Sequence, residues 1–157
     1  MYAIDEKLIQ DLKNNWRNTN NASASFLQSI PNQSIQVHPF ENRFTDFSWE
    51  FSCLIRTRLC YLEELKTGIQ NFEDREGIPN KDILQQKSKK ELADLISETS
   101  NALLEEITKI DTYNKVARII WLLQHERIHQ GKLLLYHSKL NLEIPESFKK
   151  TWGESNF

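Results

Sequence analysis

At 157 residues the chain has the length of one ordinary domain, enough to bury most of its apolar surface in a single core and too little for a second. Hydrophobic residues at 39% and charged residues at 27% exclude a chain disordered throughout. A net charge of -2 excludes the basic footprint of a nucleic-acid binder.

The opening stretch, from Met1 to Asn15, lacks the apolar h-region of a signal peptide and carries acids where such a peptide needs bases. No apolar run approaches the roughly 18 residues of a membrane span. The expectation is a cytoplasmic protein of one domain over 1–157, with no membrane partner. Leu8, Leu12 and Trp16 recur every four residues, as do Ala22, Phe26 and Ile30, which predicts a first helix from Asp5 to Ser29. The polar run Arg17 to Asn21 suggests a break within it, and Pro31 ends it. Asn32 to Phe44 has no period and reads as a loop. Asp46 is a good N-cap for a second helix carrying Phe47, Phe51, Leu54, Ile55, Arg58, Leu62 and Leu65, and Gly68 marks its end. Gln70 to Lys87 is polar and reads as a long mobile crossover. Ser88 and Glu91 form a capping-box pattern before a third helix with Leu92, Ile96, Thr99, Leu103, Ile107 and Ile110. The fourth helix, Thr112 to Leu140, is apolar around its girth, so it should be largely buried. Four long helices without a convincing strand predict an all-α four-helix bundle.

Chemistry concentrates on the fourth helix. His125 and His129 are four apart, which places them about 40° from one another and about 6 Å apart along the axis. Both rings can reach one metal ion, provided a third ligand comes from elsewhere. Glu126 points off that face. The same residues satisfy His-Glu-x-x-His, the zinc-protease pattern, but the extensions such enzymes need do not follow His129, and no strand is available to hold a peptide. The competing reading makes the pair ordinary polar residues on a helix face. Cys53 and Cys60 lie seven apart in one helix, about 10 Å along its axis, and cannot bridge each other.

The run His125-Glu126-Arg127-Ile128-His129-Gln130-Gly131-Lys132-Leu133 resembles the His-Glu-x-x-His-Arg-Gly-Gln-Leu signature of the DinB/YfiT-like family, with Gln130 and Lys132 in place of the common arginine and glutamine. The helix order, the loop with Pro39-Phe40, the crossover and the tail from Ile144 to Trp152 are similar too, so the resemblance covers essentially the whole chain. It implies a divalent metal, zinc or nickel, held by three histidines, the first on helix two. Helix two has no histidine here; Cys53 stands nearest that position, with Ser52 beside it and Glu50 one turn earlier as a weaker substitute. A Cys53–His125–His129 centre is reasonable zinc chemistry, and the alternative is that Cys53 is a small buried apolar residue. Cys60 reads as packing.

The resemblance further implies a thiol-dependent S-transferase or isomerase acting on small electrophiles, or a hydrolase, with Glu126 and Arg127 as candidates to support the ligands. The alternative is a degenerate, metal-free bundle that binds or scaffolds as a dimer. His38 could rim a pocket, His137 lies too far along the helix to share the site, and Trp16, Trp49 and Trp121 read as core. Trp49 lies about 160° around the helix from Phe47 and Phe51, so one of these aromatic faces should look outward. That predicts a homodimer through helix one or two, unless the loop around Pro39 or the tail with Phe148 and Trp152 covers the patch.

Overall fold

The computed structural model describes residues 4–152. Among them are α1 (Glu6–Ser29), a 3-10 turn (Asn32–Ser34), α2 (Phe47–Thr67), α3 (Lys81–Gln85), α4 (Lys89–Thr108), α5 (Tyr113–Lys139) and α6 (Glu146–Trp152). The chain is therefore all-helical, with four long helices and no named strand among the described residues. None of these helices is long and apolar enough to cross a membrane.

Each long helix begins where a short polar side chain can satisfy its free amides. The Asp5 carboxylate accepts from Lys7 N at 2.9 Å, Asp46 from Trp49 N at 2.8 Å, and Thr112 from Lys115 N at 3.3 Å. At Ser88 the reciprocal capping box is formed, Glu91 N donating to the serine hydroxyl and Ser88 N to the glutamate. Gly68 closes α2 at φ 76°, a left-handed conformation that a Cβ would strain.

α1 and α2 each pack against both α4 and α5, α3 lies on α2, and α6 lies on α1. Two apolar clusters fill the interior, one around Phe26, Phe47, Phe51, Ile96 and Leu133, the other around Trp16, Leu65, Leu103 and Ile119. A buried polar belt involves all four long helices. In it Arg58 grips Glu126 with two hydrogen bonds of 2.7 and 3.0 Å and donates to Asn20 and the Ile96 carbonyl, both at 2.9 Å. Ser23 donates to Glu126 at 2.7 Å, and Gln130 donates to the Thr19 carbonyl and to Ser23, both at 2.9 Å.

This belt accounts for two departures from the sequence reading. α1 runs unbroken through the polar stretch, because Thr19 and Asn20 are its inward-facing partners to the belt. α5 is less buried than its apolar girth suggests, since its inner face carries Glu126, His129, Gln130 and His137. Anchoring that polar stripe inside leaves Trp121 60%, Ile128 63% and Leu135 50% exposed. Trp121 is therefore not core. Trp16 is fully buried, and Trp49 is half-buried.

The crossover is better anchored than its polarity implies. Ile78 and Leu84 are buried, Gly77 turns at φ 80°, Arg56 pairs with Asp74 at 2.6 Å, and Arg75 pairs with Glu63. Phe47 and Phe51 are both buried, while Trp49 lies under the ammonium groups of Lys81 and Lys132, 4.7 and 5.2 Å from its ring. The tail contributes Phe148, which packs on Phe26 with ring centroids 4.9 Å apart. The Trp152 side chain and residues 153–157 lie outside the described residues.

His137 is buried far from its helical neighbours' chemistry, Nδ1–H donating to the Leu133 carbonyl and Nε2 meeting the Ser29 hydroxyl, each at 2.8 Å. Burial pushes its imidazole below the ordinary value, only partly opposed by the Leu133 carbonyl. Between its folded and unfolded pKa values the unfolded chain binds the extra proton, so stability falls as pH drops below about 6.5. The drop in urea midpoint from pH 7.5 to pH 5.5 should be smaller in His137→Gln than in the wild type. Equal drops would refute a neutral buried His137.

Candidate metal centre

One stripe of α2, spaced by three, four and four residues, carries Glu50, Cys53, Thr57 and Tyr61 along the seam with α5. From α5, His125 and His129 face it. The two Nε2 atoms stand 3.1 Å apart, and Cys53 Sγ lies 3.8 Å from His125 Nε2. One ligand atom from each of Cys53, His125 and His129 falls within 4.8 Å of the others, so the three could hold a metal ion. Tetrahedral zinc with bonds of about 2.0–2.1 Å to nitrogen and about 2.3 Å to sulfur separates such atoms by about 3.3–3.6 Å. The two contacts, 3.1 and 3.8 Å, bracket that range, each about 0.2 Å outside it.

Glu50 does not compete for the ion; it stands behind a ligand. Its Oε2 accepts from His129 Nδ1–H, and its Oε1 accepts from the Tyr136 hydroxyl at 2.8 Å, while Lys132 Nζ lies 3.6 Å away. A carboxylate bonded to one imidazole nitrogen fixes the tautomer that offers the other to a metal. Glu50 is buried, which disfavours its anion, yet the bonds from His129 and Tyr136 hold its carboxyl below the usual range. Burial and the Glu50 charge together raise the Tyr136 phenol. His125 has Thr57 Oγ1 at 3.4 Å from Nε2, while its Nδ1 is buried without a hydrogen-bond partner.

The protons of the cluster are shared in a way that suits displacement by a cation. Burial opposes a Cys53 thiolate, but the His125 and His129 imidazoles outweigh it and lower the thiol from 9.0 to about 6. Burial likewise opposes a His129 imidazolium, and Cys53 with Glu50 outweighs it, raising the ring to about 9. The thiolate is already the ligand form that a divalent metal needs, whereas His129 must release its Nε2 proton as the ion binds.

The fold thus brings together all three residues expected from the sequence. Glu126 is fully buried and held by Arg58, and Arg127 donates to Gln130 at 2.7 Å. With its only candidate base tied to a guanidinium, the pattern His-Glu-x-x-His is not arranged as in a zinc protease. His38 is exposed and lies 3.7 Å from Asp46, away from the cluster, and Cys60 is buried packing. Glu50 as the partner of His129, Thr57 and Tyr136 are the additions. For Glu50 and Thr57 the signal was the α2 stripe itself, whose polar members recur on one face of a half-apolar helix, whereas Tyr136 lies on α5 and meets Glu50 only through the packing of the two helices. No protein-family model matches the chain, and no curated protein sequence is significantly similar to it.

Proposed function

We propose that the chain is a metal-dependent enzyme of the DinB/YfiT-like type, a four-helix bundle whose zinc or nickel ion is held by Cys53, His125 and His129. The observation that carries this reading is the facing pair of imidazole nitrogens, with Glu50 bonded behind His129 and the Cys53 sulfur in front. When bound, such an ion lowers the pKa of a coordinated thiol or water and so makes a nucleophile at neutral pH. The reaction class proposed is transfer or isomerisation of a small electrophile by a low-molecular-weight thiol. Glu50 and Tyr136 would orient His129, Thr57 would meet a polar group beside His125, and the neighbouring aromatic side chains would limit water. The cytoplasmic setting belongs to the same proposal, alongside two free cysteines.

The deciding measurement is elemental analysis of protein purified without a polyhistidine tag. About one equivalent of zinc or nickel is expected, and less than about a tenth would favour the metal-free binding or scaffold protein. The feature on that side is the absence of a histidine from α2, where Cys53 stands instead.

Pairing of two copies is part of the proposal. Light scattering should give twice the 18.6 kDa chain mass. A mass of one chain would refute the pairing.

A further inference from the structure

Beside the three ligands the seam between α2 and α5 widens into a cavity of about 370 Å³. Tyr61, Phe72, Trp121, Ile128 and His125 line it, with Thr57 and Gln124 completing the wall. No carboxylate, ammonium or guanidinium is among these residues. Three of the large apolar side chains that the fold leaves outside converge there: Phe72 at 46%, Trp121 at 60% and Ile128 at 63% exposed. Phe72 is held in position, its ring edge-on to Tyr61 with centroids 6.1 Å apart and its segment tied down by the Arg56–Asp74 pair.

A pocket so lined discriminates by charge. An ionised ligand group pressed against Tyr61, Phe72, Trp121 and Ile128 would lose water and gain no counter-charge from them, whereas an uncharged ring would bury its faces against three aromatic side chains. The volume lies toward the small end of ligand pockets, about 300–1,000 Å³, and suits one or two fused rings. His125 belongs to both the cavity wall and the ligand cluster, so a molecule lying in the pocket is adjacent to the centre. We propose that this cavity binds the uncharged aromatic part of the electrophilic substrate, between Tyr61, Phe72, Trp121 and Ile128. The proposal rests on the metal-enzyme reading for the word substrate, and on the cavity alone for the ligand class.

The test is calorimetric titration of the full-length untagged protein with 2-naphthol and with its charged counterpart 2-naphthoate. Naphthol should bind about tenfold or more tightly than naphthoate, the cost of burying an unpaired carboxylate. Ile128→Arg, a change at an exposed position, should weaken naphthol by about tenfold and narrow or reverse the preference. Ile83→Arg adds the same charge at a position 54% exposed and outside the cavity wall, and should leave both affinities unchanged. Equal binding of the two probes, binding of neither, or equal loss in both variants would overturn the pocket. Metal content is read on the same samples. Naphthol selectivity without metal would defeat the metal reading and leave the pocket standing, and metal without selectivity would do the reverse.

Discussion

Arg58→Ala is expected to lower the unfolding free energy by about 3–5 kcal/mol, because it leaves the Glu126 carboxylate buried and unpaired. Both side chains are fully buried, and the guanidinium also serves Asn20 and the Ile96 carbonyl while stacking 4.9 Å from the Trp16 ring. The remaining bond to Glu126 comes from the Ser23 hydroxyl, which is neutral and does not replace the guanidinium charge. The double variant Arg58→Met with Glu126→Leu should be closer to wild type than Arg58→Ala, since an apolar pair removes the unpaired charge along with the bond. Urea unfolding at neutral pH measures both. A loss below about 1 kcal/mol for Arg58→Ala, the range of exposed ion pairs, would show that the belt does not hold the four helices together.

The second large effect is on the ion. His129→Ala should reduce bound metal from about one equivalent to below about a tenth, with far-ultraviolet circular dichroism nearly unchanged, because one of three protein ligands is gone. The same substitution frees Glu50 Oε2 from His129 and leaves the bond from the Tyr136 hydroxyl to Oε1 in place, without opening the apolar clusters. Glu50→Gln is the sharper probe, since it touches no metal. It should weaken metal affinity by about 10–100-fold, the usual cost of removing a group that orients a ligand. Competition with a chelating dye would report both changes. Metal content equal to wild type in His129→Ala would place the ion elsewhere and end the case for this centre.

Much of the helical framework was legible in the residues. Asp5, Asp46, Ser88 and Thr112 announce helix starts, because short oxygen-bearing side chains satisfy the first amides locally, and Gly68 announces an end for an equally local reason. His125 and His129 could be paired from spacing alone, since four residues on a helix fix their relation to one another. Cys53 could be nominated only through a resemblance. Its distance from His125 depends on how α2 and α5 pass each other, and 72 residues of chain separate them.

The sequence by itself determined an all-helical chain, the ends of its four long helices and the placing of a histidine pair on the last long one, while the short α3 and α6 went unannounced. Each follows from interactions within a few residues. Only the tertiary structure decided which face of α5 turns inward. Apolar count favoured burying Trp121 and Ile128, yet Glu126 and Gln130 are inside because Arg58, Ser23 and Thr19 wait for them on other helices. A buried charge can be accommodated only beside its partner, and that partner lies 68 residues away in the chain. The same rotation of α5 sets His129 against Glu50 and leaves Trp121 and Ile128 to wall the cavity.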